Sequence, residues 1–322
     1  MLRGLSFVAL FQAAGGALFL VIFDPRMRRA VIVQVMRWSA LAALVLLTAQ
    51  YLMESARMSG DYSGLFDAEF QSMVAQSSLL LIYLLRTLAV VLFFVCIRSS
   101  DVTRRWPIII AALGVVISFA LTGHTAARPY NPWLSLLLMV HIAAVMFWFG
   151  SLLPLLAINQ SVDRASAALV VEDFSRVAVR VVPALFVAGA ALIAALFYSP
   201  RNFLEPYGLI LLGKLFAFAL LMGLAALNRW RLGPQLGTSP RASRSFSRSV
   251  LGEYALIAAA VMATAALTTF FSPSEVVWLG SEQRVSKCVG VFTPRIVHER
   301  ARACPFHVVG LRERGVSPSS ES

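Results

Sequence analysis

Apolar residues along this chain occur in long runs that are separated by short polar segments. A helix needs about twenty apolar residues to cross roughly 30 Å of hydrocarbon, and runs close to that length are evident. They lie at Leu5–Phe23, Ala30–Tyr51, Ser77–Ile97, Trp106–Thr122, Trp133–Ile158, Val181–Tyr198, Tyr207–Asn228 and Val250–Phe271. The pattern predicts an all-α fold, a polytopic transmembrane helical bundle with about eight spans.

The polar segments between these runs alternate in charge, which predicts the orientation of the bundle. Short cytoplasmic loops are enriched in Lys and Arg. The first, third, fifth and seventh segments hold most of the arginines: Arg26, Arg28, Arg29, Arg98, Arg104, Arg105, Arg164, Arg176, Arg180, Arg229, Arg231, Arg241, Arg244 and Arg248. The other side, without the C-terminal tail, holds only Arg3, Arg57, Arg128 and Arg201. Both termini are therefore expected outside the cytoplasm, with an acidic external segment at Glu54, Asp61, Asp67 and Glu69.

Composition supports a membrane protein and argues against nucleic-acid binding. The chain is 59% hydrophobic and 14% charged, with a mean hydropathy of +0.76, whereas soluble domains are about a quarter charged. The net charge of +12 sits mainly in clusters between apolar runs, without a basic and aromatic face. A secretory signal peptide is the alternative for the first run, because Arg3 precedes it, but its full spanning length favours a retained helix.

Residues 274–322 differ from the rest of the chain, which divides it into a membrane domain at 1–273 and a tail. The tail has no apolar run of spanning length and is rich in charge, Pro and Ser, so we predict disorder. The alternative is a metal-binding tail, since it contains Cys288, His298, Cys304 and His307. That spacing is too loose to indicate a specific site.

Polar side chains inside a membrane are costly and are therefore functional candidates. Counting 1.5 Å of rise per residue from the start of each span places His141, Lys214 and Arg86 in one layer, about 10–13 Å below the outer surface. Arg86 has no carboxylate predicted at its depth, so we expect it to bond helix-end carbonyls or to meet an anionic ligand. The alternative for the two cations is snorkelling toward the headgroups.

Two histidines near the outer surface suggest a ligand site. His124 follows Gly123 at the end of the fourth run, one short segment before the run that contains His141. Such a pair can hold copper or a haem iron, whereas the plain alternative is a hydrogen-bonded structural histidine. Met53 and Met58 beside the acidic segment, and Met139, add thioethers that suit Cu(I). For the methionines of the fifth run, core packing near Gly150 is the alternative.

The stretch from His141 to Leu155 contains Trp148, Gly150 and Pro154 in a His, Trp-x-Gly and Leu-Pro-Leu pattern. Other short motifs are Leu84-Leu85-Arg86, Gly123-His124, Phe174-Ser175-Arg176, Tyr207-Gly208, Leu211-Leu212-Gly213-Lys214 and Leu227-Asn228-Arg229-Trp230-Arg231-Leu232. Together these motifs resemble the signature of the copper resistance protein D family (CopD, PcoD). The resemblance is closest over residues 77–271.

The resemblance implies a multi-pass protein of the bacterial inner membrane that acts in copper homeostasis. It further implies movement of copper from periplasm to cytoplasm together with a periplasmic copper carrier of the CopC type. The leading hypothesis is a permease, not an enzyme, in which His124 and His141 form or flank an outer site for copper as Cu(I). The predicted assisting and supporting residues are Met53, Met58, Met139, Arg86, Trp148, Lys214 and Asn228.

Two alternatives to the permease stay open. One is a haem-binding electron-transfer protein, with His124 and His141 as iron ligands and the two buried cations holding the propionates. The other is a copper-binding scaffold or sensor that transports nothing. The sequence shows no ATP-binding motif in a suitable context, so transport would run down a gradient or on a coupled ion.

Overall fold

The computed structural model describes residues 1–24, 29–97, 105–122, 132–160, 163–196 and 206–270. Within these ranges the chain is helical and contains no strand. The α-helices are α1 (Leu2–Phe23), α2 (Arg29–Ser59), α3 (Ala68–Gln76), α4 (Ser78–Cys96), α5 (Arg105–Ala120), α6 (Pro132–Asn159), α7 (Arg164–Leu196), α8 (Pro206–Leu227) and α9 (Pro240–Phe270). The predicted all-α polytopic bundle is confirmed. The predicted tail and His124 lie outside the described residues.

Each of the predicted apolar runs coincides with one helix. Among the described residues, seven helices are long and apolar enough to cross a membrane. The run at Trp106–Thr122 forms α5, an apolar helix of 16 residues that is shorter than the others. The short helix α3 follows a 3₁₀ turn at Tyr62–Leu65 and lies in the acidic segment.

Three helices extend well beyond the apolar runs from which they were predicted. α2 continues to Ser59, α7 begins at Arg164 and α9 begins at Pro240. Hydropathy marks only the apolar part of a helix, whereas backbone hydrogen bonding continues through its polar turns. In the polar part of α7, Arg176 lies 2.9 Å from Asp173 and 3.6 Å from Glu172, at the spacings that stabilise a solvated helix. The predicted starts of the spans in α7 and α9 therefore missed the polar first turns of these helices.

The centre of the bundle is α1, which packs against α2, α4, α5, α6 and α9. Small residues permit this central position, because the stretch from Ala13 to Ala17 is buried and consists only of Ala and Gly. A Cβ added to Gly150 of α6 would clash with Gly15 and lie 2.5 Å from the Gly16 nitrogen. Gln12 fixes the same crossing by donating from Nε2 to the Gly150 carbonyl at 3.0 Å. The glycines therefore serve close helix packing.

Candidate functional site

Helix α6 carries the family-like signature, and its two halves have different surroundings. None of residues 132–143 is buried, whereas from Ala144 to Asn159 almost every residue is buried. The second half is anchored at its end, because Asn159 Nδ2 donates to Ser247 Oγ and to the Ser243 carbonyl, each at 2.8 Å. Trp148 belongs to the buried half and His141 to the open half. The two predicted site residues on this helix thus have different environments.

Trp148 and Asn228 meet at a buried carboxylate, Glu253 of α9. Trp148 Nε1 donates to Glu253 Oε2 at 3.2 Å, and Asn228 Nδ2 donates to Oε1 at 2.6 Å. Glu253 is 3% exposed. Asn228 begins a π-helical segment, Asn228–Leu232, directly after α8, and such local widening of a helix is frequent at functional sites. The Glu253 cluster, as we call these three residues, ties α6, α8 and α9 together.

Glu253 was not among the residues predicted from the sequence, although a signal for it exists. It is the one acidic residue inside the eight predicted spans, and a carboxylate in such a run is a functional candidate in its own right. It lies only three residues from the predicted start of the last span, where a charge reads easily as the edge of the membrane. The described start of this helix at Pro240 places Glu253 well inside it.

His141 is on α6, and its surroundings include residues of α7 and α8. Its ring faces Gly189, where an added Cβ would be 3.3 Å from Cε1 and 3.4 Å from Nδ1. The imidazole lies near the Leu185 backbone and the Lys214 side chain. Nδ1 is buried and has no hydrogen-bond partner among the described residues. We call His141, Leu185, Gly189 and Lys214 the His141 pocket.

Arg86 belongs to a third location, which is formed by α1, α2, α4 and α5. Its Nε donates to Ser118 Oγ at 2.9 Å, and its guanidinium lies 4.4 Å from the ring centroid of Phe119 and 5.4 Å from that of Phe7. The expected bond to helix-end carbonyls is absent from the described contacts of Arg86. The hydroxyl of Ser118, two residues before the end of α5, accepts the hydrogen bond from Nε instead.

A polar cavity of about 250 Å³ opens beside Arg86. Its polar lining consists of Arg3, Gln50, Glu54, Arg57, Tyr83, Arg86 and Thr122. Glu54 accepts hydrogen bonds from Tyr83 Oη and Arg57 Nη1, both at 3.0 Å. This Arg86 cavity lies where α1 and α4 begin and where α2 and α5 end. The acidic segment therefore supplies a carboxylate near Arg86, which was not predicted from the sequence.

The predicted cations thus fall into two separate groups rather than one network. Lys214 belongs to the His141 pocket, whereas the described contacts of Arg86 are with α1 and α5. The methionines are also dispersed. Met53 is half-buried and Met58 exposed near the end of α2, which packs chiefly on α1 and α4. Met139 is two residues from His141 and packs against the core, so it does not share a helix face with the imidazole.

The described residues contain no group of three His, Cys, Asp or Glu side chains that could hold a metal ion. A metal at His141 would therefore need donors of another kind, such as thioethers or carbonyl oxygens, or ligands outside the described part of the chain. The predicted second imidazole, His124, is outside the described residues. The unpartnered Nδ1 of His141 is a suitable donor for copper, which imidazole binds well.

Comparison with known proteins gives matches over most of the chain. Residues 168–267 match the family described as copper resistance protein D. Residues 1–129 match the family described as copper resistance protein D-like, N-terminal domain. The comparisons with curated proteins and with solved structures returned no significant match. The two family matches include α1 to α5, most of α7, α8 and most of α9, and hence Arg86, Lys214, Asn228 and Glu253.

Proposed function

Since this chain belongs to the copper resistance protein D family, we propose that it moves copper across a bacterial inner membrane with His141 as a ligand for the ion. The family and the apolar helices establish a copper-resistance protein of a membrane. The copper site at His141, the movement of copper and the location in a bacterial inner membrane belong to the proposal. In it, copper is the cargo, taken as Cu(I) from the periplasm toward the cytoplasm.

The observation that carries this proposal is the buried, unpartnered Nδ1 of His141. A buried polar atom without a hydrogen bond costs free energy, and proteins keep such atoms chiefly where a ligand or water uses them. An imidazole nitrogen with a free lone pair is a good donor for copper. Gly189 supports the role, because its missing side chain leaves the face of the ring beside Nδ1 uncrowded.

The remaining ligands follow from the chemistry of copper. Cu(I) accepts few ligands and favours imidazole and thioether donors. His124 is our proposed second ligand, because it precedes α6 by one short segment. Met53 and Met58 are better suited to capturing copper near the end of α2 than to completing the site at His141. A periplasmic carrier of the CopC type would deliver the ion to that end of the bundle.

The neighbouring Lys214 sets the strength of the site. A fixed positive charge near the imidazole opposes a bound cation and therefore weakens binding. A site that passes its ion onward must bind weakly enough to release it. The pocket thus suits a transient stop on a route better than long-term storage. Because the sequence shows no ATP-binding motif, the proposed movement follows a gradient or a coupled ion.

Copper titration of the purified full-length protein tests the ligand. Cu(I) should be titrated against a competing chelator in a background where Cys288, His298, Cys304 and His307 are replaced, so that the tail contributes nothing. We expect His141→Ala to weaken binding by about tenfold or more. The matched control is Gly114→Ala in the same background, because its added Cβ on α5 has no atom within 4 Å. Equal affinity for His141→Ala and its parent would remove His141 from the site.

Vesicle experiments test the movement separately. Proteoliposomes containing the protein should take up more copper than empty vesicles, and His141→Ala should reduce the difference. If uptake equals that of empty vesicles while the titration still shows binding, the protein is a copper-binding scaffold. A purified sample with a Soret absorption band that His141→Ala abolishes would instead identify a haem protein.

A further inference from the structure

The Arg86 cavity carries a charge that the described residues do not neutralise. Three guanidinium groups, those of Arg3, Arg57 and Arg86, line it together with one carboxylate, that of Glu54. Arg57 forms an ion pair with this carboxylate, at 3.0 Å. Within the described ranges, Arg3 and Arg86 form no ion pair. The cavity therefore keeps about two positive charges at neutral pH.

Arg86 is the strongest part of this observation. It is 3% exposed, and a buried guanidinium is normally paired because its desolvation is costly. The rings of Phe7 and Phe119 and the hydroxyl of Ser118 satisfy its faces and its Nε. The guanidinium has four further N–H donors on its two Nη atoms. No described hydrogen bond uses them, and the residue lines the cavity.

Arg3 is a second arginine with an unused donor beside the cavity. It lies in the first turn of α1, and its Nε is buried without a hydrogen-bond partner in the described part of the chain. Its guanidinium lies 5.7 Å from the centroid of Phe7, the ring that also contacts Arg86. Two arginines on different helices thus share one aromatic ring and one cavity. Their remaining donors suit an acceptor with several oxygens.

We propose that the Arg86 cavity binds a phosphate-type oxyanion, which is held by Arg3 and Arg86. The planar fork of N–H donors in arginine matches phosphate oxygens, and charge-assisted hydrogen bonds of this kind are strong. Gln50, Tyr83 and Thr122 add neutral polar groups to the lining. The lining of this cavity shares no residue with the His141 pocket, so the proposal does not depend on the proposed copper ligand.

The phosphate group has two possible sources, free inorganic phosphate and the headgroup of an anionic lipid. Isothermal titration of the detergent-purified full chain with inorganic phosphate tests the first source. Native mass spectrometry with phosphatidylglycerol, compared with phosphatidylcholine, tests the second. Binding of the lipid without binding of the free ion assigns the cavity to a headgroup, and the reverse assigns it to the soluble anion. If neither probe binds to the unchanged protein, the proposal is overturned.

Variants with opposite expected effects separate binding from folding damage. Arg86→Gln and Arg3→Gln should each lower the affinity for the bound probe by about tenfold. Glu54→Gln removes the negative charge of the cavity and should raise the affinity, which general destabilisation would not do. The matched control is Arg37→Gln, because Arg37 stacks on Phe94 at 4.6 Å in the same way as Arg86 on Phe119. Equal loss in Arg37→Gln, or weaker binding in Glu54→Gln, contradicts the proposal.

Discussion

The two halves of α6 belong to one continuous helix but differ in burial and in hydrogen bonding. In the half from Ala144 to Asn159, the backbone approaches α1 at Gly150, and the Trp148 indole bonds a carboxylate of α9. In the half at residues 132–143, no residue is buried, and a histidine nitrogen has no partner in the described structure. Close packing and hydrogen-bonded side chains thus characterise the buried half, whereas incomplete burial and a nitrogen without a described partner characterise the half that carries His141.

This difference indicates where stability and ligand binding reside. A helix whose polar groups are satisfied by neighbouring helices holds the bundle together and has little left to offer a ligand. A segment with few buried residues contributes less to stability, and ligand-binding regions are often of this kind. Substitutions in the buried half should therefore change unfolding, and substitutions around His141 should change copper binding.

The largest effect on stability is expected for Gly150→Ala. Its new Cβ would overlap the backbone of Gly15, and α1 and α6 would have to separate. We expect a loss of about 3 kcal/mol, typical of overpacking a rigid contact, measured as a lower midpoint of thermal unfolding in detergent. Gly114→Ala on α5 is the control, because nothing lies within 4 Å of its added Cβ. Similar unfolding of both variants would show that the crossing is not close.

Glu253→Ala should have the next largest effect. It leaves the Trp148 and Asn228 donors buried without an acceptor, which costs about 2 kcal/mol. Glu253→Gln should lose less, since its amide oxygen retains one acceptor. Unfolding in a denaturing detergent series measures both. Glu172→Ala, on the exposed part of α7 beside Arg176, should leave the unfolding curve almost unchanged. A Glu253→Ala protein as stable as its parent would mean that the cluster does not hold the three helices.

Around His141 the expected change is in affinity rather than in stability. An alanine at position 189 would bring its Cβ to 3.3–3.4 Å from the imidazole, so the ring must shift by a few tenths of an ångström. Gly189→Ala should weaken Cu(I) binding by about three- to tenfold, because donor positions matter at a metal site. The control Gly213→Ala on α8 meets open space and should bind as the parent does. If Gly189→Ala lowered the unfolding midpoint but not the copper affinity, Gly189 would serve stability and not copper binding.

How much of this arrangement was predictable depends on what a sequence pattern can encode. Long apolar runs predicted every spanning segment, because the hydrocarbon thickness fixes their length. Depth along a span can be counted as well, and similar levels for Arg86, His141 and Lys214 stay a prediction. Position around the bundle cannot be counted, since it depends on which helices pack together. For that reason the predicted single layer divides into two groups, one around Arg86 and one around His141.

The Glu253 cluster shows the same limit in another form. Trp148 and Asn228 were candidates because they belong to family-like motifs, but their spacing of eighty residues says nothing about a shared partner. The partner was readable as the lone acidic residue within the predicted spans. What the sequence could not provide is the π-helical segment at Asn228–Leu232, because such a bulge arises from packing rather than from a local residue preference.

The smallest effect is expected for Met139→Leu, and it tests the open half of α6 most finely. Met139 precedes His141 by two residues, and positions two apart on a helix point to different sides. It packs against the core as a partly buried apolar residue, and leucine has a similar volume. Copper affinity should therefore change by less than about threefold, within the range expected for an indirect effect, in the same chelator competition used for His141→Ala. A loss as large as that of His141→Ala would mean that thioether and imidazole bind the same ion, which would require this half of α6 to rotate or unwind when copper binds.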